Sequence, residues 1–185
     1  MQIKTDILVI GSGIAGLSYA LKVSEFASVT IITKKEKAES NTNYAQGGIA
    51  SVISSEDSFD LHIQDTLNVG CGLCHRDAVG VMVKEGPTRI NELIEIGVQF
   101  TQKQNQFDVS REGGHSRSRI LHAADLTGKE IERALLEKIS ERKNISMYEN
   151  HYAIDLITEH QLGKEISQNE TKHCYGAYVL DEDKN

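Results

Sequence analysis

The sequence predicts an α/β protein built on a Rossmann-like, doubly wound sheet. Three features indicate this fold class. The apolar run Ile7–Ile10 predicts a buried strand, the glycine-rich segment 11–16 follows it directly, and apolar residues at helical spacing then extend from Ile14 to about Phe26. A second strand is expected at Val29–Ile32, parallel to the first, because a strand, a helix and a strand in succession form a right-handed crossover.

The turn after the first strand has the spacing of a dinucleotide-binding fingerprint. Gly11 permits a tight turn, Gly13 lets a pyrophosphate approach the backbone, and Gly16 lets the helix pack closely on the strand. The N–H groups at the start of the helix would then face the phosphates. The residues expected to contact the dinucleotide are Gly11, Ser12, Gly13, Ile14, Ala15 and Gly16.

Composition favours a small-molecule function. The 185 residues are 39% hydrophobic and 25% charged, as in an ordinary globular domain with a sizeable core. The excess of 27 acidic over 20 basic residues gives a net charge of −7, which argues against a nucleic acid or an anionic membrane as the main partner.

The N-terminal residues run straight into the first predicted strand, which leaves no room for a signal peptide. No apolar stretch approaches the roughly 20 residues needed to span a bilayer. We therefore expect a cytoplasmic protein whose three cysteines remain thiols.

Helices are expected in the middle of the chain. Ser58 has the side chain to cap a helix that runs to Asn68, after a short strand that follows the second glycine cluster. Asp77 is expected to cap a helix through Val83, and Pro87 to lie in the first turn of a separate helix, Thr88–Ile96. Gly97 suits a left-handed helix end.

The C-terminal third is expected to hold a helix followed by strands. Residues 127–130 have the spacing of a capping box before an amphipathic helix that extends to Ile139. Strands are predicted at Ile145–Tyr148, Ala153–Thr158 and Tyr175–Leu180. A doubly wound domain should next return a parallel strand to the sheet; since none follows, we expect a fold that is incomplete at its C-terminus.

Lys34 follows the second predicted strand, where dinucleotide-binding folds usually place an acid for the ribose hydroxyls. A lysine here could meet a ribose phosphate of NADP or contact the adenosine part of FAD. The fingerprint alone leaves both possibilities open.

Segment 40–50, SNTNYAQGGIA, resembles the flavin segment of the superfamily of succinate dehydrogenase, fumarate reductase and L-aspartate oxidase. The resemblance implies an FAD-binding, glutathione-reductase-like fold with strands added to the doubly wound sheet. Covalently flavinylated members have a histidine after the first serine, where this chain has Asn41, so FAD is expected to bind non-covalently. The further residues expected to bind FAD are Lys34, Asn41, Thr42, Asn43, Tyr44, Ala45, Gln46, Gly47 and Gly48.

Two later stretches, REGGHS at 111–116 and RILHAADLTG at 119–128, closely resemble the L-aspartate oxidase family. Counted as one motif, they join the glycine turn at 11–16 and the run Tyr44–Gly48, and the likeness in these three motifs covers nearly the whole chain in order. It implies oxidation of L-aspartate to iminoaspartate, with FAD as hydride acceptor and oxygen or fumarate reoxidising the cofactor. It also implies that the product passes to quinolinate synthase in NAD biosynthesis.

Glu112 is the residue that this family places near the substrate, where it helps to orient the active site by receiving the amino group. The family's catalytic arginine lies in a later part of its sequence. We interpret Arg111, Arg117 and Arg119 as surface arginines, with a role in bracing the flavin pyrophosphate or the loop left open. The sequence has no cluster at metal spacing, and no metal is expected.

The segment from Cys71 to His75 has the spacing of a haem attachment site and contains a CxxC pair. A redox CxxC should follow a strand and open a helix, whereas this one follows a helix. We interpret Cys71 and Cys74 as small buried cysteines at a turn between two helices.

We interpret residues 1–185 as the N-terminal part of an FAD-binding domain, without the family's capping domain and C-terminal helical domain. Three alternatives stay open. They are an inactive, truncated FAD-binding fragment, a flavoprotein like fumarate reductase or succinate dehydrogenase, and an NADP-dependent reductase built around Lys34.

Overall fold

The computed structural model describes residues 2–124, 126–165, 167 and 170–182; Asp125, within the third motif, lies outside them. The helices are α1 (Ile14–Val23), α2 (Phe59–Val69), α3 (Arg76–Glu95) and α4 (Thr127–Ser140). The strands are β1 (Ile7–Ile10), β2 (Val29–Ile32), β3 (Ile49–Ala50), β4 (Gln102–Lys103), β5 (Gln106–Phe107), β6 (Val109–Ser110), β7 (Ile120–Leu121), β8 (Ile145–Tyr148), β9 (His151–Thr158) and β10 (Cys174–Asp181). The chain forms two compact units: a first unit of Met1–Ser40 with Leu135–Asn185, and a second unit of Asn41–Ala134.

The first unit contains a parallel sheet in the order β1-β2-β8. Ile7 pairs with Val29 and Val29 with Ile145, so the predicted parallel crossover is confirmed. All four residues of β2 are buried, as expected for the middle strand of a covered parallel sheet. The third strand is the run that begins at Ile145, whose place in this sheet the sequence pattern does not reveal.

Two further elements complete the first unit. Helix α1 buries Leu17, Ala20 and Val23 and ends three residues before the predicted Phe26. Strands β9 and β10 form an antiparallel hairpin, which confirms both predicted strands.

The second unit combines a helical pair with two small antiparallel sheets, β3-β7-β6 and β4-β5. The Ser58 hydroxyl accepts a hydrogen bond from the Leu61 N–H at 3.2 Å, so the predicted cap of α2 is confirmed. Ile63 on α2 packs with Val79 and Val83 of α3 in a buried apolar cluster.

Helix α3 is continuous, so the prediction of two helices separated near Pro87 was wrong. Its buried residues, Val79, Val83, Ile90 and Leu93, recur at helical spacing on both sides of the proline. An unbroken apolar face lets one long helix bury more surface than two short ones, which offsets the hydrogen bond that a mid-helix proline removes. Gly97 has φ +104°, which confirms the predicted left-handed end.

Helix α4 does not begin with the predicted capping box. The Thr127 hydroxyl accepts from the Ala123 N–H at 3.1 Å, upstream of the helix. The Glu130 carboxylate accepts from the Gln99 N–H and from Arg133. Thr127 therefore bonds to the segment just before α4, whereas Glu130 joins the start of the helix to the distant Gln99 and to Arg133 within the helix.

Candidate functional site

The glycine turn of the first unit has the geometry that a pyrophosphate requires. Gly11 has φ +106°, a conformation that L side chains rarely adopt. A Cβ on Gly16 would lie 2.2 Å from the Gly11 carbonyl oxygen, so only glycine allows α1 to start this close to β1. Gly13 is the N-cap of α1, and no side chain caps the helix. A phosphate can approach these amides without displacing a cap, so the turn fits the pyrophosphate of FAD.

Lys34 lies at the same end of the parallel sheet as the glycine turn. The Gly11 N–H donates to the Ile32 carbonyl at 2.8 Å, which joins the turn to the end of β2. The buried Ser12 hydroxyl donates to the Thr33 hydroxyl at 3.1 Å, one residue before Lys34. Lys34 itself is exposed, so its ammonium group is open to a ligand.

Segment 41–48 belongs to the second unit and is held there by contacts that require glycine. A Cβ on Gly48 would lie 2.3 Å from the Leu121 carbonyl oxygen, and one on Gly128 would lie 1.8 Å from the Thr42 carbonyl oxygen. The Gly128 N–H donates to the Ala45 carbonyl at 3.0 Å. The exposed residues of the segment are Asn41, Tyr44, Ala45, Gln46 and Gly47. A fixed, exposed backbone of this kind fits a bound flavin, and the individual contacts stay predictions.

Glu112 is exposed on loop 111–118, which joins β6 to β7. Its carbonyl oxygen accepts from the His115 N–H at 3.2 Å, which closes a tight turn through Gly114 at φ +86°. A cavity of about 310 Å³ opens beside this loop, with Arg111 and Arg117 among its lining residues. The loop therefore presents one carboxylate and two guanidinium groups to solvent.

Arg119 is fully buried, which corrects its interpretation as a surface arginine. Its Nε and Nη2 donate to the two carboxylate oxygens of Asp57, each at 2.7 Å. Its Nη1 donates to Asp65 Oδ2 at 2.6 Å and lies 3.1 Å from His115 Nδ1. The Ser116 N–H and hydroxyl also donate to Asp65 Oδ2, each at 2.8 Å. We call these five residues the Arg119 cluster.

Proton positions in the Arg119 cluster follow from the hydrogen bonds. A guanidinium can only donate, so His115 Nδ1 accepts and the proton of this ring lies on Nε2. Burial raises the pKa of Asp65, but hydrogen bonds from Ser116 and Arg119 outweigh it and lower the pKa to about 2. Burial and the Arg119 guanidinium lower the pKa of the nearby His62. One buried cation is therefore shared by two ionised carboxylates.

Asp57 and Asp65 are members of the Arg119 cluster that the sequence pattern does not reveal. Both side chains are nearly inaccessible, with 1% and 13% exposure. Asp57 precedes the helix cap Ser58, and Asp65 lies in the middle of α2, where a single acid usually indicates a solvated helix face. No local pattern distinguishes them, because their partners lie more than 50 residues away in the chain.

Cys71 and Cys74 lie between α2 and α3, which confirms the predicted turn between two helices, and both are free thiols. Cys71 is exposed, so its predicted burial was wrong, whereas Cys74 is half-buried with its Sγ 3.7 Å from the Thr66 carbonyl oxygen. Among the residues that the structure describes, no group of three or more histidines, cysteines or acids is arranged to hold a metal ion. Within the same part of the chain, no helix combines the length and apolarity that crossing a bilayer requires.

The fold and the glycine turn define a dinucleotide-binding flavoprotein domain, and comparison with protein families agrees. A family model described as an FAD binding domain matches residues 6–185. The chain belongs to this family, and FAD is its cofactor.

Comparison with individual proteins gives a more specific relationship. The chain is 49% identical over 177 residues to the chloroplastic L-aspartate oxidase of Oryza sativa subsp. japonica. The aligned residues make up 95% of this chain and 26% of that protein. It is 44% identical over 178 residues to the L-aspartate oxidase of Acinetobacter baylyi. This alignment covers 96% of this chain and 32% of that protein. The resemblance to L-aspartate oxidases is confirmed, and the chain spans about a quarter to a third of the length of these relatives.

Solved structures support the fold. An E. coli quinol fumarate reductase matches with a TM-score of 0.85 and 27% identity, over 98% of this chain and 30% of that chain. The Mycobacterium smegmatis Sdh1 complex matches with a TM-score of 0.81 and 26% identity, over 95% and 30% of the respective chains. The predicted α/β FAD-binding fold is therefore confirmed.

Proposed function

We propose that the protein to which this chain belongs oxidises L-aspartate to iminoaspartate, with oxygen or fumarate as the final electron acceptor. In this reaction the Cα–H bond of L-aspartate gives up a hydride and the amine a proton, so that a C=N bond forms. Bound FAD supplies the hydride acceptor. Oxygen would be reduced to hydrogen peroxide, or fumarate to succinate.

The observation that carries this proposal is the 42–53% identity to proteins named L-aspartate oxidase over most of the chain. Because the chain spans only part of those relatives, the activity of the whole protein is a proposal. We further propose that the capping and C-terminal helical domains lie outside these residues, that the product passes to quinolinate synthase, and that the protein works in the cytoplasm.

The residues of this chain have separate roles in the proposal. Residues 11–16 hold the pyrophosphate at the N-terminus of α1, and Lys34 contacts the adenosine part of FAD. Segment 41–48 holds the flavin, and its Asn41 forms no covalent bond to it. Glu112 pairs with the substrate ammonium group and orients L-aspartate.

The test is to express the complete gene and measure flavin absorbance together with hydrogen peroxide release that depends on L-aspartate. Succinate formation from fumarate in the absence of oxygen would establish the second acceptor. If purified, flavin-loaded protein oxidises succinate but not L-aspartate, the assignment is wrong and the structural similarity to fumarate reductase reflects function as well as fold.

A second candidate is that residues 1–185 bind FAD without activity, and the match to an FAD binding domain over residues 6–185 supports the binding. Equilibrium dialysis of residues 1–185 with FAD distinguishes a binding-competent fragment from one that needs the rest of the protein. Stoichiometric binding without turnover is the result expected from this second candidate.

A further inference from the structure

The loop that carries Glu112 lies against helix α2. Asp65 and Val69 lie one turn apart on this helix. The Asp65 carboxylate accepts hydrogen bonds from both the N–H and the hydroxyl of Ser116. A Cβ on Gly114 would lie 2.6 Å from Val69 Cγ2, so the turn between Glu112 and Ser116 lies directly against the helix.

We propose that Asp65 is a positioning residue for Glu112: through Ser116 it fixes the loop that presents the Glu112 carboxylate to the substrate. The proposal rests on the proposed function, in which Glu112 orients L-aspartate. Asp65 does not touch the substrate; its role is to set where the turn between Glu112 and His115 lies.

One oxygen atom of Asp65 makes all of these bonds. Oδ2 accepts from the Ser116 N–H and hydroxyl at 2.8 Å and from Arg119 Nη1 at 2.6 Å. Hydrogen bonds to an ionised carboxylate are about twice as strong as neutral ones. The buried Arg119 in turn holds this carboxylate in place, and its backbone N–H donates to the Ser110 carbonyl at 3.1 Å, at the start of the loop.

Asp57 provides a matched control within the same cluster. It pairs with Arg119 through both oxygens and accepts from the Ser58 N–H, a residue outside the loop. Removing either aspartate deprives Arg119 of a buried partner, but only Asp65 bonds to Ser116. A purely structural role therefore predicts similar effects of the two changes, whereas a positioning role does not.

The experiment uses the complete, FAD-loaded enzyme and four variants: Asp65→Ala, Asp57→Ala, Glu112→Gln and the double variant Asp65→Ala/Glu112→Gln. We expect Asp65→Ala to lower kcat/KM for L-aspartate on the order of 100-fold, the loss that a displacement of about 1 Å can cause. Asp57→Ala is expected to lower kcat/KM far less. In the Glu112→Gln background, Asp65→Ala should change kcat/KM by no more than about twofold, because the group that it positions is already gone.

Hydrogen exchange gives a readout that does not depend on turnover. Asp65→Ala should speed exchange of the Ser116 and His115 amides, which donate to Asp65 and to the Glu112 carbonyl, and Asp57→Ala should leave exchange of both unchanged. Asp65→Asn keeps an oxygen that can accept the Ser116 N–H and should restore part of the protection. If Asp65→Ala does not fold, Ser116→Ala replaces it, because this change removes the hydrogen bond from the Ser116 hydroxyl to Asp65. Ser116→Ala is then compared alone and in combination with Glu112→Gln.

Equal losses for Asp65→Ala and Asp57→Ala, or a loss of unchanged size in the Glu112→Gln background, would overturn the positioning role. If Glu112→Gln lowers kcat/KM and Asp65→Ala does not, this inference alone fails. If the wild-type enzyme does not oxidise L-aspartate, or Glu112→Gln has no effect, the proposed function or the role of Glu112 fails first and the positioning role fails with it.

Discussion

Arg119 shows how strongly the environment of a single residue can differ from what its sequence neighbourhood indicates. It lies in a polar stretch with two other arginines, Arg111 and Arg117, which are exposed as expected. Arg119 is instead fully buried between two carboxylates. Its planar guanidinium matches the two oxygens of Asp57 and still has a further N–H for Asp65, which a lysine could not reproduce.

Arg119→Ala is expected to destabilise the protein by about 3–5 kcal/mol, because it leaves two carboxylates buried without their cation. Urea unfolding monitored by circular dichroism measures the change. Arg117→Ala, at an exposed position two residues earlier, should change the free energy of unfolding by about 0.5 kcal/mol or less. Similar unfolding midpoints for the two variants would contradict the structural role of Arg119.

Asp65 should make stability depend on pH in the acid range. Burial raises its pKa, but hydrogen bonds from Ser116 and Arg119 lower the pKa from 3.8 to about 2 in the folded state. The folded-state pKa therefore lies below that of the unfolded chain, so this stabilisation is complete above about pH 5 and is lost as the pH falls from 3.8 toward 2. Urea midpoints between pH 5 and pH 2.5 should fall less steeply in Asp65→Ala than in Asp60→Ala, a control at an exposed position of α2. If the urea midpoints of the two variants fell equally steeply with pH, Asp65 would not contribute to the pH dependence of stability.

At the scale of elements, helix α1 packs closely on strand β1 because Gly16 has no side chain. In Gly16→Ala the new Cβ meets the Gly11 carbonyl oxygen at 2.2 Å, so α1 must move away from β1. Overpacking of this kind typically costs about 1–3 kcal/mol, and FAD affinity should fall with it.

Gly80→Ala is the matched control for Gly16→Ala. Gly80 is also helical, in α3, and no neighbouring atom lies within 4 Å of the place that its Cβ would take, so alanine should stabilise the protein by about 0.5–1 kcal/mol. Thermal unfolding and FAD titration of both variants test the contrast. If Gly16→Ala stabilised the protein, the close packing of α1 on β1 would not require glycine at this position.

Helix α4 should control segment 41–48 through Gly128. In Gly128→Ala the added Cβ would lie 1.8 Å from the Thr42 carbonyl oxygen, so the segment must separate from the start of the helix. We expect a weaker affinity for FAD, measured by quenching of flavin fluorescence. Lys129→Ala, at the neighbouring position, should bind FAD as the wild type does. If Gly128→Ala bound FAD with unchanged affinity, segment 41–48 would not belong to the proposed FAD site.

For the whole molecule, non-covalent FAD should act as a stabilising ligand. Tm should rise with FAD concentration, and at a free concentration of 100 times Kd the gain is about 2.7 kcal/mol. FMN, which lacks the adenosine half and the second phosphate, is the control and should stabilise less. Acid precipitation should release all of the flavin; flavin that stays with the precipitated protein would contradict the interpretation of Asn41.

Much of the fold was predictable because its determinants are local. The run Ile7–Ile10, the glycine turn and the Ser58 cap each act within a few residues, and all three were confirmed. The unbroken helix α3 was not predicted, because a proline is a strong local signal and the apolar face that overrides it acquires its energetic value only when packed. The place of Ile145–Tyr148 in the parallel sheet also depends on a distant strand.

The sequence by itself determined the dinucleotide-binding turn, the family resemblance and the loop that carries Glu112. Only the tertiary structure decided that Arg119 is buried and that Asp57 and Asp65 hold it, because these contacts join residues 62 and 54 positions apart. Dihedral preferences and helix caps act between neighbours in the chain and can be inferred from them. Burial of a charge depends on which distant groups surround it, and only the folded chain brings those groups together.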